Sequence, residues 1–116
     1  MLQLSPASKI YIAIQTVDGR KGIDGLAALC RKQLQHDPFS GALFLFRTRS
    51  RTTLKMLLYD GQGFWLCMKR LSKGRFTWWP DSAASVKPIS PGQLQVLLWN
   101  GNPLKASMAE PWRKVS

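Results

Sequence analysis

The chain has 116 residues, 45% hydrophobic and 10% aromatic, enough to enclose one core and therefore one domain. Its 17 Lys and Arg against 6 Asp and Glu give a formal charge of +11. That charge points to a polyanionic partner, nucleic acid first, with solubilisation or an acidic protein partner as the other uses of such an excess. The longest apolar runs, Ile10–Ile14 and Ala42–Phe46 among them, are far short of the roughly 18 residues a membrane span demands. With no signal-peptide pattern at the N-terminus, the expectation is a soluble, cytoplasmic protein with no membrane partner.

Residues 1–8 read as a tail. Lys9–Val17 is rich in β-branched and aromatic residues and predicts a first strand. Residues 18–22 are turn material, and Asp24 is placed to cap a helix with Leu26, Leu29, Cys30 and Leu34 on one face, which Asp37-Pro38 ends. Four β-prone runs follow: Ala42–Arg47, Thr53–Tyr59, Phe64–Arg70 and Arg75–Trp79. The connections between them are too short for helical crossovers, so an antiparallel meander is predicted. The last element has the clearest signals. Ser90 and Gln93 form a capping box around Pro91, Leu94, Leu97 and Leu98 make the buried stripe, and Gly101 and Pro103 supply the stop. The predicted fold class is α+β, a mostly antiparallel sheet made of a four-stranded meander plus an N-terminal strand, with two helices packed on one face. It forms a single domain over residues 9–102, with short tails at 1–8 and 103–116.

Two strands of this sheet are apolar on both sides. Leu54, Met56 and Leu58 alternate with Leu57 and Tyr59, and Phe64, Leu66 and Met68 alternate with Trp65 and Cys67. Such a sheet needs cover on both faces. With both helices assigned to one face, the other is expected to meet a second copy of the chain, a partner protein or stacked bases, a homodimer being the commonest solution.

Little in the sequence supports catalysis. There is one histidine, His36, at a helix end. Cys30 and Cys67 lie far apart with no further ligand beside them, so neither a disulfide nor a zinc site is expected. Asp18, Asp24, Asp37, Asp60, Asp81 and Glu110 are the only carboxylates, most of them at turns or caps. A minimal nuclease would have to hold Mg²⁺ or Mn²⁺ on Asp18, Asp24 or Asp60, and the sequence does not favour it. Neither glycine cluster has a phosphate-binding fingerprint. No catalytic residue, metal site or cofactor is predicted.

The charge is clustered. Arg47, Arg49, Arg51, Lys55, Lys69, Arg70, Lys73 and Arg75 fall within one stretch against the single acid Asp60, and Arg20 and Lys21 add to them. In an extended chain, Arg47, Arg49 and Arg51 would point three guanidinium groups one way, a clamp for a phosphate backbone. The alternative is a solvated loop that blunts a sheet edge. Tyr59, Trp65, Trp78 and Trp79 could stack bases, although core packing is the usual fate of such rings.

Five ordered motifs carry a resemblance: Arg-Lys-Gly-Ile-Asp-Gly-Leu-Ala-Ala-Leu (20–29), Asp-Pro-Phe-Ser-Gly-Ala-Leu-Phe-Leu-Phe-Arg (37–47), Leu-Lys-Met-Leu-Leu-Tyr-Asp-Gly-Gln-Gly-Phe-Trp-Leu (54–66), Lys-Arg-Leu-Ser-Lys-Gly-Arg-Phe-Thr-Trp (69–78) and Gln-Leu-Gln-Val-Leu-Leu-Trp (93–99). Together they resemble the accessory protein from the second open reading frame of insertion-sequence-66 elements, called TnpB and distinct from the RNA-guided nuclease of that name. The resemblance implies a bacterial, non-enzymatic factor needed for efficient transposition beside a separate transposase. Element-end DNA, the transposase or both would be its partners. The alternative to DNA contact is an assembly protein docking on the transposase through an apolar sheet face. The chain departs from the family pattern at Arg49-Ser50-Arg51-Thr52-Thr53, where Arg-Gly-Asp-Arg is common, and at Asp18-Gly19, where Asp-Met usually precedes Arg-Lys-Gly.

Overall fold

The computed structural model describes residues 9–104. The expected tail 1–8 and nearly all of 103–116 lie outside the described residues, although Pro103 is described and buried. In chain order the elements are β1 (Ile10–Ala13), α1 (Ile23–Leu29) continued by a π-helical turn (Cys30–Leu34), β2 (Leu43–Arg47), β3 (Thr53–Tyr59), β4 (Phe64–Arg70), β5 (Val86–Ile89) and α2 (Pro91–Leu98). The strands form one sheet in the order β4-β3-β2-β1-β5.

All five residues of β2 are buried. Phe44 and Phe46 project to one side, into a core with Leu26, Ala27, Cys30 and Leu34 of the first helix, while Leu43 and Leu45 project to the other, into a core with Leu94 and Leu97 of α2. A strand apolar on both faces requires this two-sided cover. Between β1 and β2 the chain returns through α1, so the two strands pair in parallel, Ile10 beside Leu43 and Ile12 beside Leu45. The other three pairings are antiparallel. The sheet is therefore mixed, and mostly antiparallel as expected.

Three expectations need correction. First, the helices lie on opposite faces, not on one, so no sheet face is left bare to account for a homodimer or an apolar docking site. The β3–β4 register adds to this. It pairs Leu57 with Leu66 and Leu58 with Trp65, which separates Leu57 and Tyr59 from Trp65 and Cys67. Second, the meander has three strands. β4 and β5 sit at opposite edges, so the intervening chain must cross the sheet, and Arg75–Trp79 crosses it on the α2 face instead of adding a strand. Phe76 is 1% exposed there, Trp78 and Trp79 pack against the same core, and the Trp79 indole N–H donates to the Ala13 carbonyl at 2.9 Å. Third, Asp24 is not a cap. Gly22 occupies that position without a side-chain bond, and Asp24 lies in the first turn, where its charge suits the helix dipole.

The two edges of the sheet differ. The Ile14 N–H bonds the Ser85 carbonyl, so the alternation of an antiparallel ladder turns Lys87 and Ile89 toward β1 and Pro88 outward, where a missing N–H costs nothing. On the far side, bonds from Asp60 N–H to the Gly63 carbonyl and from Leu71 N–H to the Thr52 carbonyl frame the β3–β4 ladder. The same alternation leaves the backbone groups of Phe64, Leu66, Met68 and Arg70 facing outward.

Helix α2 starts as its sequence dictates. Ser90 Oγ accepts from the Gln93 N–H at 3.1 Å, and Gln93 Oε1 accepts from the Ser90 N–H at 2.9 Å. At its other end Asn100, with φ +62°, takes the left-handed position expected of glycine. Its N–H bonds the Leu97 carbonyl while the Gly101 N–H bonds Val96, a Schellman stop. A Cβ on Gly101 would lie 2.7 Å from Val96 Cγ1, so glycine is required there for space. Ser90→Ala should lower unfolding stability by about 1 kcal/mol, measured by urea denaturation, and Ser90→Thr should restore most of it.

Candidate nucleic-acid interface

The basic loop is a tight turn, not an extended row. The Arg51 N–H bonds the Thr48 carbonyl at 2.9 Å, and Arg51 itself is left-handed at φ +66°. The hydroxyls of Thr48, Ser50 and Thr52 form a chain across the turn at 3.0 and 2.9 Å. Three backbone bonds tie the turn to its surroundings: Arg49 N–H to Val17, Leu71 N–H to the Thr52 carbonyl and Phe76 N–H to the Arg51 carbonyl. They gather at one end of the sheet the segment after β1, the β2–β3 turn and the chain leaving β4.

Arg47 is not part of an outward row. It is 7% exposed; Nη1 donates to the Phe76 carbonyl at 2.9 Å, and the guanidinium lies 5.0 Å from the centre of the Trp79 ring. Its Nε has no partner, and burial, with Arg51 nearby, lowers its pKa. Lys55, 4% exposed, donates to the carbonyls of Gly19 and Lys21 at 2.7 and 2.6 Å. Half-buried Lys69 donates to the Leu98 carbonyl, at the end of α2. These three strand bases tie the sheet to the layers that cover it.

The remaining bases do reach the surface. Arg49 and Arg51 are exposed on the turn, Arg70 is the cross-strand partner of Thr53, and Lys73 and Arg75 follow on the segment bonded to Arg51. Arg20 is exposed beside them and pairs with Asp18 at 3.0 Å, the only ion pair among the described residues. Lys21 is half-buried. Six exposed bases thus surround one end of the sheet, and of these only Arg20 is in an ion pair. Of the aromatics considered for stacking, Trp78 and Trp79 are partly buried in the core, Tyr59 packs edge-on against Phe39 and Phe64, and Trp65 stands 43% exposed. A more exposed ring, Trp99 at 80%, follows directly on the buried leucines of α2, and no local pattern in the sequence sets it apart from them.

The carboxylates have structural duties. Asp18 accepts from the Arg20 side chain and backbone, and these bonds hold it far below the usual carboxylate range. Asp60 closes the β3–β4 turn: Oδ1 accepts from the Gly63 and Gln62 N–H groups and Oδ2 from the Trp65 indole at 2.7 Å, so its pKa is lowered too. No group of metal-ligating side chains occurs among the described residues. Cys30 and Cys67 are free thiols, and burial pushes Cys30 up to about 12. His36 is half-buried, with Nδ1 against the Leu34 carbonyl and its ring 4.4 Å from Tyr11. It borders a pocket of about 380 Å³ at the opposite end of the sheet, where Asp37 already accepts from the Phe39 N–H.

Arg47→Ala should cost about 1.5–3 kcal/mol of stability, the range for a buried charge-assisted hydrogen bond, whereas Arg49→Ala should stay within about 0.5 kcal/mol of the parent. Thermal and urea unfolding distinguish the two. Asp60 has a lowered pKa in the folded state, so its contribution is complete above the unfolded carboxylate pKa and fades as pH falls. Asp60→Asn should therefore melt below the parent at pH 7, and the gap in Tm should close as pH drops below about 4.

Comparison with known proteins bears out the resemblance. The sequence matches the family described as IS66 Orf2-like protein over residues 8–108, past the boundary at 102 expected from the motifs. Two curated relatives come from Sinorhizobium fredii (strain NBRC 101917 / NGR234). Uncharacterized protein y4hO is 41% identical over 98 residues, covering 84% of each chain. Uncharacterized protein y4jC is 37% identical over 90 residues, covering 76% of this chain and 77% of its own. No solved structure matches. The family points to an accessory role in transposition and is not a known enzyme family, and the chain belongs to it as an IS66 Orf2-like protein.

Proposed function

We propose that this protein is a non-enzymatic accessory factor of transposition that grips DNA near the element ends, in concert with the transposase, through the basic end of its sheet. The observation that carries the reading is the gathering of Arg20, Arg49, Arg51, Arg70, Lys73 and Arg75 on the surface at one end of the sheet. Guanidinium forks on short, pinned loops suit phosphate oxygens and lose little freedom on binding. Such contacts position a protein on DNA without reading sequence. Arg47, Lys55 and Lys69 support this surface from within. The rival surface for transposase docking, a bare apolar sheet face, is covered by α2 and the crossing segment.

If about six phosphates are neutralised, log K should fall with log salt at a slope near −5, about 0.9 per phosphate. Fluorescence anisotropy on duplexes over a salt series reads this directly. Neutralising Arg49 and Arg51 together should weaken binding to all sequences alike and flatten the slope by about 2. A flat salt response, or no binding at low salt, would overturn the reading. So would a transposase complex that survives both nuclease treatment and neutralisation of the six bases while DNA binding is absent.

A further inference from the structure

Trp99 is the most exposed large apolar side chain described, at 80%, and it belongs to neither core. It is nevertheless held firmly. It is the last residue before the Schellman stop of α2, and its own N–H bonds the carbonyls of Gln95 and Val96. The next residue, Asn100, clamps the crossing segment: Oδ1 accepts from the Thr77 N–H at 3.1 Å and Nδ2 donates to the Arg75 carbonyl at 2.9 Å. The backbone that carries the ring is thereby fixed beside the basic end of the sheet, next to the segment that carries Arg75. The Lys69 ammonium sits 4.6 Å from the ring centre. With one face of the indole against that cation and most of the residue in solvent, the other face is left open.

A solvent-facing indole on a pinned backbone, backed by a cation and beside exposed arginines, is a platform for a nucleobase. A base inside a duplex offers no free face to it. We propose that Trp99 stacks an unpaired base, so that the preferred ligand is DNA with single-stranded character, such as an overhang or an opened end, and not continuous duplex. This rests on the DNA reading above and narrows it: the six bases hold the backbone while Trp99 receives the exposed base. An apolar protein partner would also fit an exposed tryptophan, but the surrounding charge favours the polyanion.

The test uses the full chain and three labelled oligonucleotides of equal total charge: a blunt duplex, a duplex with a short overhang and a single strand. The overhang and single strand should bind at least about five-fold more tightly than the blunt duplex, the factor equal to about 1 kcal/mol of stacking, and should quench tryptophan fluorescence. Trp99→Ala should abolish that preference and leave blunt-duplex affinity and its salt slope unchanged. Trp99→Phe, which keeps a stacking face, should retain most of the preference and guards against a folding defect in the alanine variant. Equal affinity for all three probes, or a preference untouched by Trp99→Ala, overturns the stacking proposal while leaving duplex binding in place. Failure to bind any probe at low salt overturns the DNA reading with it. Loss of transposase association in Trp99→Ala, with every DNA affinity unchanged, would reassign the ring to a protein contact.

Discussion

The two-sided burial of β2 governs the rest of the molecule. Leu43–Arg47 sits between β1 and β3 with both of its faces in a core, so something apolar must lie on each side. A five-stranded sheet meets that demand with few elements. The helix between β1 and β2 supplies one cover, and the chain leaving β4 supplies the other on its way to the far edge, completed by α2. Because that route passes over the sheet, Phe76 and the tryptophans after it become core instead of strand. The two layers then need fastening at places where the polar backbone would otherwise be buried without partners.

Three basic side chains within strands supply that fastening. Arg47 in β2, Lys55 in β3 and Lys69 in β4 each donate to a carbonyl in the opposing layer: Phe76 in the crossing segment, Gly19 and Lys21 before α1, and Leu98 at the end of α2. Their charges are spent on internal architecture. Bases that arise in turns keep theirs for the solvent, and the backbone bonds among Val17, Arg51, Thr52 and their partners bring these turns together. One excess of positive charge thus does two jobs, and whether a covering layer lies over each residue decides which: Arg70, in β4 but exposed, stays with the solvent-facing group.

Much of this was legible in the sequence. The capping box at Ser90 and Gln93, the three runs that became β2, β3 and β4, and the apolar faces of both helices follow from local patterns that tertiary context left unchanged. Pro88 hid the fifth strand, since proline normally argues against a strand, and only the ladder phase on a sheet edge makes it acceptable. Arg75–Trp79 has the composition of a strand, and nothing local in it announces a crossing. The alternation of Arg47, Arg49 and Arg51 suggested a row only on the assumption of an extended chain, and the left-handed Arg51 breaks it. Clustering of charge was visible in the sequence, but which bases turn inward depends on what covers each face, which is a property of the whole sheet.

The unequal edges have a consequence for behaviour at high concentration. Pro88 closes the β5 side to any further strand, because its ring offers no donor to a neighbour. The β4 side presents outward-facing peptide groups over seven residues without a proline, and charge interrupts it only at Lys69 and Arg70. Growth of the sheet therefore has a single direction. Any template for intermolecular strand pairing, whether a recruited peptide or the first contact of an aggregate, lies along Phe64–Met68, and the repulsion of a strongly cationic surface opposes the meeting of two such edges.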